Sequence, residues 1–170
     1  MPDAVVFRTG RLRAVPWRDD HAEPAFAAYS DAEFVRYLGS AGQHESVGYT
    51  RDWLRRIRAN HPGFWALELV ESGEVVGATL CQPLPGGDGE HEIGWHIFPA
   101  HQHNGYATES GAGAATYGFE VLGLDEVFAI VAPANGASIA VAHRLGMEPL
   151  GPTTKYYDGF EAELFRLRRT

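Results

Sequence analysis

Polar and apolar residues alternate from Arg11 to Trp17 (RLRAVPW), the period-two pattern of a half-buried strand that ends at a turn. Asp19 and Asp20 then offer N-caps for a helix through about Tyr29, and Asp31 to Leu38 suits a short second helix. Ser46 is placed to cap a third, running to about Asn60 with Leu54 and Ile57 on its apolar face, and His61-Pro62-Gly63 ends it. Two strand-like runs follow, Phe64 to Val70 and Val75 to Gln82, with Ser72-Gly73 as the turn between them. Pro83 to Gly89 reads as a loop, and His91 to Phe98 (HEIGWHIF) as a fourth strand stopped by Pro99. A helix from about Gly105 to Leu122, a fifth strand from Val127 to Val131 and a helix from Asn135 to Leu145 stopped by Gly146 come next. Two last strands surround Asp158-Gly159, a hairpin signal. This order predicts an α/β (α+β) chain built on a mixed sheet with helices on both faces. With no internal repeat, low-complexity tract or long linker, residues 1–170 read as one domain, long enough to bury a sizeable core.

Composition changes the picture mainly by exclusion. Hydrophobic residues make up 45% and charged residues 21%, ordinary for a soluble globular protein. No apolar run approaches the ~20 residues of a membrane helix, so a membrane is not an expected partner. The N-terminus shows no hydrophobic signal core, which makes a cytoplasmic address the expectation. A single cysteine, Cys81, leaves no internal disulfide and no cysteine-rich metal cage, and no metal is expected. Fourteen basic against 22 acidic residues give a net charge of −8, and no stretch interleaves clustered Lys/Arg with aromatics, so nucleic acid is not an expected partner. The same charge opposes an anionic cofactor, which would need a dedicated local site.

One segment answers that need. Strand HEIGWHIF runs through Pro99-Ala100-His101 into Gln102-His103-Asn104-Gly105-Tyr106-Ala107, which opens a helix. The first amides of a helix lack intrahelical acceptors, and the dipole leaves that end partially positive, so the turn can hold an anion without basic side chains. Gly105 would let the backbone approach a phosphate closely, and small Ala107 would not crowd it. Ala107, Gly111, Ala114, Ala115 and Gly118 share one face of the helix. Its interior glycines 111, 113 and 118 each cost ~1 kcal/mol relative to alanine, so close packing of the helix on the sheet beside a ligand is expected to offset them.

The stretch Gln102-His103-Asn104-Gly105-Tyr106-Ala107 resembles the acyl-CoA signature of the GNAT superfamily, Gln/Arg-x-x-Gly-x-Gly/Ala. Around it, Thr9-Gly10-Arg11-Leu12-Arg13 with Pro16-Trp17, Glu92-Ile93-Gly94-Trp95, and Gly105 through Glu109 are similar to segments of the ribosomal-protein-alanine acetyltransferase-like branch. Asn135-Gly136-Ala137-Ser138 through Arg144-Leu145-Gly146-Met147, and Glu163 through Leu167, match it in the same order. The resemblance implies a mostly antiparallel twisted sheet splayed between the fourth and fifth strands. It also implies acetyl-CoA as co-substrate and N-acetyl transfer to a primary amine by direct attack in a ternary complex. The acceptor would be a small-molecule amine or a protein N-terminus, and a homodimer is compatible with this reading.

By the same resemblance, backbone groups near Ile97 and Phe98 would pair with pantetheine, and amides from Gln102, His103, Asn104, Gly105, Tyr106 and Ala107 would hold the pyrophosphate. Asn135 matches a position that hydrogen-bonds pantetheine, and it is also a good N-cap. Ser138 matches a serine placed near the cofactor sulfur, where a hydroxyl could stabilise the thiolate. Glu92 reads either as the general base, acting directly or through water, or as a strand-end carboxylate in a hydrogen-bond network. His96 lies on the same side of the strand and could share the role or be merely packed. Two departures stand out. Ala142 occupies a position where many members carry a tyrosine acid, with Tyr156 and Tyr157 as substitutes or as packing beside the hairpin. His103-Asn104 replaces a common glycine–cation pair.

Other constellations fail on spacing. The histidines of His91-Glu92-Ile93-Gly94-Trp95-His96 are five apart, wrong for a zinc-protease helix, and His101 and His103 have no obvious carboxylate neighbours. Neither a P-loop nor a nucleophile elbow is present. Arg51, Arg55 and Arg58 form a helical stripe that reads as a solvated face or as an attractor for an anionic acceptor. Tyr29, Phe34, Tyr37, Trp53 and Trp65 belong to the core or to an acceptor pocket. The rival from another class is a non-catalytic acyl-CoA-binding sensor or regulatory module. A dinucleotide oxidoreductase is weaker, because its glycine fingerprint should follow an early strand.

Overall fold

The computed structural model describes residues 4–38 and 42–170. Its strands are β1 (Phe7–Arg8), β2 (Leu12–Val15), β3 (Phe64–Leu69), β4 (Val75–Pro83), β5 (His91–Ile97), β6 (Glu126–Val131), β7 (Glu148–Thr153) and β8 (Ala162–Arg168). They form one sheet in the order β1-β2-β3-β4-β5-β6-β8-β7. Every neighbouring pair is antiparallel except β5 and β6, which are parallel. The helices are α1 (Ala22–Tyr29), α2 (Ala32–Val35), α3 (Val47–Asn60), α4 (Tyr106–Glu120) and α5 (Gly136–Arg144). Among the described residues no helix is long and apolar enough to cross a membrane.

Alternation along the strands sorts side chains onto two faces. Leu12, Ala14, Trp65, Leu67, Ile93, Trp95 and Ile97 pack with Ala114 and Ala115 of α4 and Val141 and Ala142 of α5. Val15, Ala66, Val75, Ala78 and Phe98 pack with Ala22, Ala25 and Tyr29 of α1 and Leu54 of α3 on the other face. The expected mixed sheet with helices on both faces is what the chain builds. The glycines of α4 are explained by closeness to the sheet. A Cβ on Gly111 would lie 2.8 Å from Leu145 Cδ1 and 3.0 Å from Trp95 Cε3, and one on Gly113 would lie 2.5 Å from the Phe7 ring. Small residues therefore let α4 settle onto β1 and β5, offsetting their low helix propensity.

Caps formed as their residue types demand, with one correction. Ser46 Oγ accepts from the Tyr49 amide at 3.0 Å, and Asp31 Oδ1 accepts from the amides of Glu33 and Phe34 at 2.9 and 3.2 Å. Asp19 and Asp20 do not cap α1. They begin a 3-10 turn, Asp19–His21, that leads into it, with Arg18 at the N-cap position. Both aspartates are instead drawn into ion pairs, Asp19 with Arg55 at 2.6 Å and Asp20 with Arg18 at 3.0 Å. The second helix stops at Val35, short of Leu38. The two-residue β1 carries too little pattern to be seen in the sequence. Asp158-Gly159 lies within a longer β7–β8 connection, in a 3-10 turn at Tyr157–Gly159, and is not a tight hairpin.

Glu68 on β3 is completely buried and holds the 3-10 entrance of α1 to the sheet. Its carboxylate accepts from Arg13 Nε at 2.8 Å, Arg18 Nη2 at 2.7 Å and His21 Nε2 at 2.9 Å. His21 Nδ1 accepts the Arg18 amide at 3.0 Å, so the neutral imidazole carries its proton on Nε2. Burial alone would raise the Glu68 carboxyl, but hydrogen bonds from His21, Arg13 and Arg18 outweigh it and hold the group below its ordinary value. Glu68→Gln is expected to lower unfolding stability near neutral pH by about 2–3 kcal/mol, below the cost of breaking a fully buried pair because both guanidinium groups are partly in water. A carboxylate with a depressed folded pKa stabilises fully above its unfolded pKa of about 4.3, and that contribution is lost as pH falls through the folded value. The gap between variant and wild type should therefore narrow in urea titrations below about pH 4. A gap independent of pH would count against the ionic account.

Candidate active site

β5 and β6 pair at a single register position, Glu92 with Phe128. Beyond it a cavity of about 1000 Å³ opens, lined by Ile93 to Ile97 on one side and Ala129 to Ala132 on the other. The Phe98 amide donates to Val76 O at 2.9 Å, which makes the even-numbered residues of β5 the hydrogen-bonded partners of β4. The amides and carbonyls of Ile93, Trp95 and Ile97 consequently point away from β4, toward the gap. Gln102 Nε2 takes the Ile97 carbonyl at 3.1 Å. Phe98 departs from its expected role: its amide is held by Val76 and its carbonyl by the His101 amide at 2.8 Å.

At one end of the cavity the chain leaves β5, makes a 3-10 turn at Pro99–His101, and enters α4 through Gly105. Gly105 is the N-cap residue in the left-handed region, φ 81 and ψ 7, and among the described residues no side chain caps the helix. The turn is braced from outside. Arg11 Nη1 donates to Asn104 O at 2.9 Å, Arg11 Nε to Glu109 Oε2 at 2.7 Å, and its guanidinium stacks over Tyr106 at 4.7 Å. Glu109 Oε1 also accepts from the Thr9 hydroxyl and the Arg11 amide, each at 2.7 Å. Asn104 Nδ2 ties down the His101 and Gln102 carbonyls at 2.9 and 3.2 Å. These bonds engage backbone carbonyls and the Glu109 carboxylate, not the first amides of α4, which like those of any helix start lack intrahelical acceptors.

Glu92 is buried, and burial pushes its carboxyl up to about 7 against an opposing hydrogen bond from Gln82 Nε2 at 3.4 Å. It sits at the β5–β6 junction beside the cavity, where Gly94 and His96 of the same strand face form part of the wall. Burial lowers His96 to about 4, so its imidazole is neutral near pH 7, and among the described residues its buried Nδ1 has no hydrogen-bond partner. Asn135 caps α5, with Oδ1 accepting the Ser138 amide at 3.2 Å, and both residues line the cavity. Ala142 is fully buried in the core beneath α5.

The family model for the acetyltransferase (GNAT) domain matches residues 11–148. The chain belongs to the GNAT acetyltransferase family. Among its relatives, the uncharacterized N-acetyltransferase YoaA of Bacillus subtilis is 27% identical over 154 residues, covering 89% of this chain and 87% of that protein. A crystal structure of an acetyltransferase from Agrobacterium tumefaciens is 26% identical with a TM-score of 0.75, over 99% of this chain and 95% of the other. RimL, a ribosomal L7/L12 alpha-N-protein acetyltransferase solved with coenzyme A, shares the fold at 13% identity with a TM-score of 0.77, over 97% and 98% of the two chains.

Within this acetyltransferase the other residues singled out in the sequence separate by position. Phe34 and Tyr37 line the cavity. Tyr29, Trp53 and Trp65 pack in the cores. Arg55 pairs with Asp19, and Arg58 Nη1 donates to Trp17 O at 3.1 Å, so the arginine stripe braces the entrance of α1. His101 does have a carboxylate neighbour, Glu74, at 3.4 Å. Sequence reasoning did not single out Arg11 and Glu109 as braces, nor Trp95 and Arg144 as part of the wall. An acidic residue in the first turn of a helix was the available signal for Glu109. His103 lies in the left-handed region at φ 66, as does Gly105. His103→Gly should therefore raise unfolding stability by roughly 0.5–1 kcal/mol, and Gly105→Ala should lower it by roughly 1 kcal/mol. Equal shifts of one sign in urea titrations would mean that backbone conformation does not set the shape of this turn.

Proposed function

We propose that this enzyme transfers an acetyl group from acetyl-CoA to a primary amine, with residues 1–170 acting as one acetyltransferase domain. The observation that carries this reading is the cavity itself. It combines the outward-turned backbone of Trp95 and Ile97, the uncapped start of α4, and Asn135 and Ser138 on α5. In this reading the amides from Gln102 to Ala107 (His103, Asn104, Gly105 and Tyr106 between them) face the pyrophosphate. That placement suits a strongly acidic protein, because the attraction comes from backbone dipoles. Ile97, with Trp95, pairs with pantetheine in strand-like fashion. Asn135 keeps its side-chain amide N–H groups for pantetheine, since only its Oδ1 is engaged in the cap.

The amine nitrogen attacks the thioester carbonyl, the C–S bond breaks, and coenzyme A departs as a thiolate. Glu92 takes the proton of the attacking amine, through a water because the carboxylate stands beside the cavity wall. A group poised near 7 suits this task, being about half ionised at neutral pH and still basic. The Ser138 hydroxyl donates to the leaving thiolate. RimL acts on the alpha amine of a ribosomal protein. For this chain the acceptor is assigned only as a small-molecule amine or a protein N-terminus. Ala142 favours one second reading, an acyl-CoA-binding module without turnover, because the helix offers no phenol there.

Calorimetric titration with acetyl-CoA should give saturable binding, and thiol release should then depend on an added amine from a panel of polyamines, aminoglycosides and peptides. Binding without amine-dependent release would favour the sensor. No binding by folded protein would overturn the cofactor assignment. Ser138→Ala should reduce kcat about 10–100-fold with the KM for acetyl-CoA little changed. In the wild type, kcat/KM should rise with pH through about 7 as Glu92 loses its proton, and Glu92→Gln should abolish that limb and slow turnover at least about 100-fold.

A further inference from the structure

The Glu92 carboxyl has a second neighbour besides Gln82, and it arrives from a distant part of the chain. The Tyr157 hydroxyl, from the connection between β7 and β8, donates to Glu92 Oε1, the same oxygen that Gln82 approaches. The backbone that delivers it is strained. Tyr157 and Asp158 are consecutive non-glycine residues in the left-handed region, at φ 51 and φ 54. Residues held in this way persist where their surroundings over-determine them, and such strain tends to gather at functional sites.

The surroundings here do so. The Tyr157 amide donates to Pro85 O at 3.1 Å. Lys155 Nζ binds Glu90 Oε1 at 2.8 Å and Asp88 Oδ2 at 3.0 Å. The Tyr156 hydroxyl donates to Glu90 Oε1 at 3.1 Å, and its ring is buried with Leu84 and Phe128. Three anchors thus fasten the loop to the segment that precedes β5, and Tyr157 is left to reach Glu92 itself. Tyr157 remains 38% exposed, so burial of its ring does not account for the conformation.

We propose that Tyr157 is a positioning residue for Glu92, its phenol orienting the carboxylate and stabilising its ionised form for proton transfer from the acceptor amine. The inference rests on the proposed role of Glu92 as base. A hydrogen bond donated to a carboxylate favours the charged form. The other groups facing Glu92 supply no positive charge, and Gln82 adds only a long hydrogen bond of 3.4 Å to the same oxygen. Gln82 is uncharged, and the buried Cys81 thiol on β4 is pushed up to about 12 and so stays neutral. His96, on the same face of β5, is neutral as well near pH 7.

The test uses Tyr157→Phe, Glu92→Gln and the double variant of the full chain. With glutamate carboxyls labelled with carbon-13, the Glu92 resonance is identified by its loss in Glu92→Gln and titrated by NMR. In Tyr157→Phe its midpoint should move up by about one pH unit, with the midpoint of Glu68 unmoved. With acetyl-CoA and the amine that the wild type turns over best, the acid limb of kcat/KM should move up by the same amount. Tyr157→Phe should have no further effect in the Glu92→Gln background, as expected of two residues acting as one unit. A loop clip with only a structural role would lower thermal stability and leave both midpoints in place, and that result overturns the proposal. If Glu92→Gln keeps the wild-type rate and pH profile, the base assignment itself falls. If Glu92→Gln loses the limb while Tyr157→Phe leaves the Glu92 midpoint unmoved, only the role of Tyr157 falls.

Discussion

The whole arrangement depends on one parallel contact, Glu92 against Phe128, at which β5 and β6 meet. On either side of this junction the sheet is antiparallel and continuous, four strands before β5 and two after β6. Had β5 and β6 paired along their full length, their backbone groups would be mutually satisfied and no cleft would exist. Because they part, Trp95 and Ile97 turn backbone groups toward a space between two layers of protein, where the Ile97 carbonyl already accepts from Gln102 Nε2. Buried backbone polar groups need partners, and an extended chain carrying amides is the chemical form that supplies them in register. The fold therefore creates, at the centre of its sheet, the open strand edge that other sheets keep at their margins. The crossover helix α4 must start at the mouth of the same gap, so its free amides and the open strand edge fall within one cavity.

Two buried carboxylates show how the same sheet produces opposite chemistry. Glu68 and Glu92 are both buried, one on β3 and one on β5. Glu68 is surrounded by Arg13, Arg18 and His21 and is held below its ordinary value, which makes it a fixed charge that locks α1 to the sheet. Among the described residues Glu92 has only uncharged donors, Gln82 and Tyr157, and burial drives it up to about 7. The contrast follows from what each neighbour can give: a guanidinium compensates the loss of water around an anion, whereas an amide or phenol does so only in part. A structural carboxylate is thereby separated from one able to exchange a proton near neutral pH.

Much of this was legible in the sequence because it is written locally. The strands and helices with a clear period, the caps Ser46 and Asn135, and the turn through Gly105 each depend on residues within a few positions of one another. The mixed sheet followed from element order. The failures share the opposite property. Asp19 and Asp20 have cap-competent side chains, but Arg55 and Arg18 compete for them. β1 exists because β2 offers it an edge, and two residues carry no periodicity of their own. The brace of Arg11 on Asn104 and Glu109 spans more than ninety residues. The approach of Tyr157 to Glu92 requires a backbone conformation that Tyr and Asp seldom adopt, so local propensity argued against it.

The alanine at 142 leaves the chemistry of the leaving group to be reasoned from magnitudes. A free thiol has a pKa of about 8.5, so releasing it as a thiolate near pH 7 is unfavourable by only about 2 kcal/mol. A hydrogen bond to a charged group contributes about 1.5–3 kcal/mol. One hydroxyl, that of Ser138 in the proposed arrangement, is therefore of the right size to stabilise the thiolate without a phenolic acid beside it. The expelled amine proton is the harder problem, because an alkylammonium resembling lysine has a pKa near 10.4. Catalytic demand thus falls on the base, and on whatever keeps the base ionised while buried. In the proposed mechanism that burden rests on the β5 end of the cavity, where burial raises the Glu92 carboxyl and the strained β7–β8 connection sets a hydroxyl against it.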